Sequence, residues 1–237
     1  MEKKIEFIVG NTILRGSLFI PKGNGPFPAV IFFHGSGSKG LKYFEAGKRL
    51  SENGIMAFVF NFRGCGISDG DYLLQTHQDA LIDAKSAYTL LLSQNIDKSR
   101  VGVVGGSFGG YIASMMIPQM KIKSLVLLNP SAHGKDLSEK IDRGDLGNEV
   151  KYFKDKKNWE GSKSFKNIAN FSQDLLIIQS ENDENVPPEV LDKYFKSASH
   201  TTKKEIVVIK GANHRLSENV QKEEFFSIIV DWFLKTL

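Results

Sequence analysis

Four glycines surround one serine in "VGVVGGSFGG", Val101 to Gly110. Glycine-rich turns of this kind either cradle phosphates or present a nucleophile, and spacing separates the two. A dinucleotide fingerprint, G-x-G-x-x-G, needs glycine where Ser107 stands. A Walker loop needs Gly-Lys-Ser/Thr, and no lysine follows Gly110. What fits is G-x-S-x-G, Gly105 to Gly109, between a strand and a helix. A serine on such a turn sits in strained backbone geometry, and side chains two positions either side would collide with the turn. The helix that follows aims its N-terminal amides at negative charge developing beside the serine. The alternative is a purely structural turn; the flanking "RVGVV" and "YIASMM" favour a nucleophile.

A hydroxyl is a weak nucleophile at neutral pH and needs a base, itself oriented by a third group. Sites in open parallel sheets form outside the carboxyl ends of the strands, so base and acid must follow strands. His200 falls before a strand, on the wrong edge. His133 follows a strand, but no acid-bearing strand end precedes it in the chain after the serine. His214, in "KGANHRLS" after the strand 204–209, lies on the correct edge and is the expected base. The acid is sought in "LLIIQSENDENVPP", a strand followed by Glu181, Asp183 and Glu184. Asp183 has the spacing of a carboxylate that orients His214 and stabilises its imidazolium. Glu181 or Glu184 can instead cap the next helix, so Asp183 leads among three candidates. An oxyanion hole completes the set. Its expected donors are the backbone N–H groups of Phe108, after the nucleophile, and Ser36, in the glycine-rich "HGSGSKG". His34 reads as an organiser of that loop. Nothing has metal-ligand spacing, and the triad needs neither metal nor cofactor.

These residues need a scaffold that brings strand ends together. Strand candidates are Lys4–Val9, Ile13–Ile20, Ala29–Phe33, Met56–Phe60, Val101–Gly105, Ser124–Leu128, Leu175–Gln179 and Lys204–Ile209. The first two flank a glycine–asparagine turn and predict an antiparallel hairpin at a sheet edge. The later ones are apolar almost throughout, as strands are when helices cover both faces of a parallel sheet. Helical spacing recurs between Leu74 and Leu92, in "VPPEVLDKYF" and in the C-terminal run. The pattern predicts an α/β fold with a mostly parallel eight-stranded sheet flanked by helices, a single domain over 1–237. Between Leu128 and Leu175 the patterns are polar and broken, and an unstructured loop of that length is improbable. A small helical cap over 131–172 is expected there.

The chain has 237 residues and a net charge of +4. No window is apolar enough to span a bilayer. The N-terminus lacks the apolar core of a secretory signal. Cys65, the single cysteine, excludes an internal disulfide, and a cytoplasmic home is the default. Segment 151–166 holds six lysines against Asp155 and Glu160, a local excess equal to the whole chain's net charge. A solvated face is the favoured reading, and weak attraction of anionic substrates the sharper one. No nucleic-acid motif accompanies it.

Together "HGSGS" at 34–38, "FRGCGISDG" at 62–70, "GGSFGG" at 105–110, "ENDENVP" at 181–187 and "GANHRL" at 211–216 resemble the α/β-hydrolase superfamily. The resemblance runs from about residue 10 to the C-terminus, and the order serine, aspartate, histidine is that family's order. Asn61 stands where such relatives usually carry aspartate. The resemblance implies attack on an acyl carbon, with an acyl-enzyme on Ser107. The elbow is similar to that of prolyl-oligopeptidase-type enzymes, whose large N-terminal propeller the short lead-in here does not accommodate. Size and insertion look more like a small carboxylesterase of the feruloyl or cinnamoyl type. An esterase is expected first, a thioesterase or small aminopeptidase second, and a non-catalytic binding protein of the same fold last. The partner is a small acyl ester, and the molecule a monomer or homodimer. Gly35, Tyr152 and Trp159 are candidates for substrate contact. For the aromatic residues of the cap, packing is the favoured alternative.

Overall fold

The computed structural model describes residues 1–134, 151–153 and 155–237. Within them the chain runs β1 (Glu2–Val9), β2 (Thr12–Phe19), β3 (Phe27–Phe33), α1 (Leu41–Glu52), β4 (Met56–Phe60), α2 (His77–Leu92) and β5 (Ile96–Gly106). It continues through α3 (Phe108–Met116), β6 (Ser124–Leu128), α4 (Lys163–Ala169), β7 (Asp174–Asn182), α5 (Pro188–Ser197), β8 (Lys204–Asn213) and α6 (Asn219–Thr236). Among the described residues the strands form one sheet in the order β1-β2-β4-β3-β5-β6-β7-β8. β1 and β2 form the expected antiparallel hairpin, closed by Gly10 and Asn11, with Gly10 at φ 60°. β2 meets β4 antiparallel, and every later pairing is parallel.

Burial on both faces explains the apolar runs. In β3, Ala29, Ile31 and Phe33 enter one core layer while Val30 and Phe32 enter the other. Residues of α1 and α6 pack in the second layer, and residues of α2, α3, α4 and α5 in the first. The packing is close: a Cβ on Gly102 of β5 would lie 2.5 Å from the Phe233 ring of α6. No helix among the described residues is long and apolar enough to cross a membrane.

The structure differs from the sequence expectations at element ends. β5 begins at Ile96, ahead of Val101, because Ile96 pairs with Phe27 across an irregularity in β3. α2 begins at His77, where Thr76 and Asp79 form a reciprocal capping box; Tyr72–Leu74 is a separate short turn. α1 carries no strong signal in the sequence, yet buries Tyr43, Ala46 and Leu50. β7 and β8 run past Gln179 and Ile209 to Asn182 and Asn213, which are register partners. Of the expected cap, 135–150 and 154 lie outside the described residues.

Candidate active site

Ser107 links β5 to α3 with φ 51° and ψ −119°, a conformation that a residue with a side chain adopts only when its surroundings impose it. Its N–H donates to the Leu128 carbonyl at 2.9 Å, and its own carbonyl accepts from the N–H groups of Gly110, Tyr111 and Ser131. The glycines around it keep backbones in contact. A Cβ on Gly105 would lie 2.5 Å from the Gly109 carbonyl oxygen, and one on Gly109 only 2.0 Å from that of Phe33. On Gly106 it would overlap the Tyr43 hydroxyl at 1.9 Å. None of these three glycines is left-handed; the unusual backbone is the serine's own.

The pairing of Asn182 with Asn213 makes the next residue of each strand, Asp183 and His214, leave the sheet side by side. His214 Nδ1–H donates to both carboxylate oxygens of Asp183, at 2.7 and 2.9 Å. The Ser107 hydroxyl donates to His214 Nε2 at 3.0 Å. Asp183 is fixed in turn by the N–H groups of Asn185 and Val186, at 2.9 and 2.8 Å. The His214 and Asp183 side chains are almost fully buried. A continuous hydrogen-bond chain thus joins Asp183, His214 and Ser107.

Neither glutamate caps α5, which begins at prolines without a side-chain cap. Glu184 accepts the main-chain N–H of His214 at 3.0 Å. Glu181 accepts from Lys210 and from the Gly211 N–H, and Lys210 holds its carboxyl below the ordinary range. Both acids brace the loop carrying His214. A third brace, Asn129, has no signal in the sequence. Buried and left-handed at φ 44°, it donates to Ser180 Oγ (2.8 Å) and to the His214 carbonyl (3.3 Å), and accepts from the Ser180 N–H (2.8 Å).

The 34–38 loop lies against the nucleophile: a Cβ on Gly35 would be 3.3 Å from Ser107 Cβ. His34 is buried; its Nε2 accepts the Phe62 N–H at 3.0 Å and its Nδ1 donates to the Gly35 carbonyl at 2.8 Å, tying two loops together. Asn61 holds the same pair, donating to the Lys39 carbonyl and accepting the Ile67 N–H. An aspartate has no donor for that carbonyl. Ser36 shares a 2.6 Å hydrogen bond with Tyr72, and Phe108 opens α3, where main-chain N–H groups point out of the helix.

A cavity of about 440 Å³ opens beside Ser107, lined by Gly35, Ser36, Tyr72 and His214 among others. Tyr152 and Trp159 are not among the described residues that line it. Trp159 is buried, its indole N–H donating to the Phe153 carbonyl, and Tyr152 donates to the Asn158 carbonyl and packs on Phe153 and His133. With Phe153 and Lys156, Trp159 faces Asp183 and Glu184 across a second cavity of about 350 Å³. Lys42, on the rim of the first cavity, is pushed down to about 8 by burial, with Lys222 and Arg215 adding to the effect and Asp183 opposing it.

A model of the prolyl oligopeptidase family matches residues 42–237. The chain belongs to the prolyl oligopeptidase family. Among curated relatives it is 27% identical over 184 residues to Esterase EstD of Thermotoga maritima, covering 74% of this chain and 40% of that one. It is 26% identical over 232 residues to the uncharacterized peptidase YuxL of Bacillus subtilis, covering 90% and 35%. The chain thus spans well under half the length of these relatives. Among solved structures, Est1E from Butyrivibrio proteoclasticus with ferulic acid bound superposes with a TM-score of 0.77 at 19% identity, covering 98% of both chains. The alpha/beta hydrolase GrgF from Penicillium sp. sh18 gives 0.72 at 16% identity, covering 100% and 99%. The fold is the α/β-hydrolase fold.

Proposed function

We propose that this chain is a serine hydrolase that cleaves carboxylic esters through an acyl-enzyme on Ser107. The single observation carrying this reading is the unbroken chain Asp183–His214–Ser107, whose three hydrogen bonds are all at 3.0 Å or less. Ser107 Oγ attacks the ester carbonyl carbon as its proton passes to His214 Nε2, and Asp183 stabilises the resulting imidazolium. The carbonyl oxygen becomes an oxyanion held by the Phe108 and Ser36 N–H groups. The imidazolium returns its proton to the leaving alcohol, leaving an acyl group on Ser107. Water, deprotonated by the same histidine, then releases the carboxylic acid and restores the serine. This chemistry calls for no metal and no cofactor. In this reading the chain works as one domain, and the described residues Phe153, Lys156 and Trp159 of the 131–172 insertion stand beside Asp183. It acts in the cytoplasm on a small molecule, without a nucleic-acid partner.

The names of EstD and Est1E support an ester over other acyl substrates. An amide is the second reading, favoured by the family's name and by the match to YuxL over 90% of this chain. Turnover of short p-nitrophenyl esters, an acyl-CoA and aminoacyl amides by wild type and Ser107→Ala separates them. Esters are expected to react fastest, with activity in Ser107→Ala lower by about 10⁶-fold. A clear preference for the amide would replace the esterase reading with the peptidase one.

A further inference from the structure

The cavity beside Ser107 has a one-sided charge. Its charged lining is Lys39, Lys42, Arg215 and Lys222, with no carboxylate among the described lining residues. The four come from the loop before α1, the first turn of α1, the loop after β8 and the start of α6. Among the described residues none forms an ion pair. Lys42 donates to the Arg215 carbonyl at 3.4 Å, and Lys222 to the Ser217 carbonyl at 2.8 Å and Asn219 Oδ1 at 3.4 Å, all neutral acceptors. The acids nearby are engaged elsewhere: Glu223 and Glu45 bind Arg49, and Glu184 takes the His214 N–H. The first turn of α1 also borders the cavity and contains no acidic residue, so the helix dipole adds positive potential. Among the described residues Asp183 is the one acid that acts on Lys42 from nearby, and it is already committed to His214. The four cations repel one another, and an anion seated among them relieves that repulsion. The Lys42 ammonium is disfavoured first by burial and then by Lys222 and Arg215, with Asp183 offsetting part of the effect.

We infer that the ester this site accepts carries an anionic group, a carboxylate or phosphate, seated among Lys39, Lys42, Arg215 and Lys222 close to the scissile carbonyl. The inference rests on the serine-hydrolase reading and adds the substrate class to it. Selectivity then comes from these four cations, for no described residue of the lysine-rich 151–166 segment lines the cavity.

Two matched ester pairs test it: p-nitrophenyl hydrogen glutarate against p-nitrophenyl pentanoate, with the charge on the acyl side, and 4-carboxyphenyl butyrate against phenyl butyrate, with it on the alcohol side. In at least one pair kcat/KM is expected to favour the anion by about tenfold or more at low salt. The ratio should fall as salt screens the cations, and again as pH rises through about 8, where Lys42 loses its proton. It should collapse in Lys42→Met/Arg215→Gln. Independently of turnover, calorimetry should show glutarate or inorganic phosphate binding saturably to wild type and at least about tenfold more weakly to that double variant. No preference in either pair, together with no saturable anion binding, overturns the proposal. If neutral esters are still hydrolysed in a Ser107-dependent way, the serine-hydrolase reading survives that failure.

Discussion

Ser107 combines a hydroxyl bonded to His214 Nε2 with a backbone conformation that costs of order 1–3 kcal/mol to hold. Three N–H groups on its carbonyl and the Leu128 carbonyl on its own N–H impose that conformation. These contacts are main-chain, so Ser107→Ala should remain folded while losing turnover. Asn129 acts one step back, as a positioning residue: it sets the His214 loop and touches no reacting atom. Asn129→Asp keeps an acceptor for the Ser180 N–H but turns carboxylate oxygen towards the His214 carbonyl. We expect a loss of about 1–3 kcal/mol in denaturant unfolding and a lower kcat with little change in KM. A reduced stability with unaltered kcat would restrict Asn129 to a structural part. Ser107, Asp183 and His214 were legible because each follows a strand and each has a characteristic residue type. Asn129 and Glu184 were not, since their partners lie far off in sequence and an amide or a carboxylate in a loop has no spacing rule to betray it.

At the scale of elements, the strand ends bring Ser107, Asp183 and His214 together. The apolar cores of β7 and β8 were legible, but their last turns of pairing, through polar "SEN" and "KGAN", were not. Polar residues at a sheet edge read as loop, and only the pairing partner reveals the strand. That hidden extension is what delivers Asp183 and His214 together. The elbow depends equally on α1, which was not visible in advance. Tyr43 of α1 fills the space a Gly106 side chain would need. Gly106→Ala should therefore lower stability by about 1–3 kcal/mol through overpacking. Adding Tyr43→Phe, which removes the clashing hydroxyl, should recover part of that loss. A double-mutant cycle in urea measures the coupling, and strict additivity would mean that the two positions do not compete for the same space.

Over the whole molecule, one sheet joins two apolar layers, and the layer formed with α1 and α6 is fastened by side-chain polar contacts as well. Trp232 is buried on α6 and donates to Ser124 Oγ at 2.7 Å, while Thr236 donates to the same oxygen at 3.0 Å. Trp232→Ala should cost about 3–5 kcal/mol of stability, seen as a lower melting temperature, while triad-dependent turnover at low temperature persists. Complete loss of activity at temperatures where the variant is folded would show that α6 does more than cover the sheet. The alternation of strands and helices made the fold class legible. The charge of the site was not, because Lys39, Lys42, Arg215 and Lys222 are scattered over the chain and only folding gathers them. The one charge cluster visible in the sequence, 151–166, was conspicuous because it is continuous.

The most direct test of the central claim is intact-protein mass spectrometry after mixing with excess p-nitrophenyl acetate and quenching in acid. Wild type should gain one acetyl group, mapped by peptide sequencing to Ser107, alongside a burst of p-nitrophenol. Ser107→Ala should show neither. An acetyl group on another residue, or full turnover by Ser107→Ala, would contradict the account.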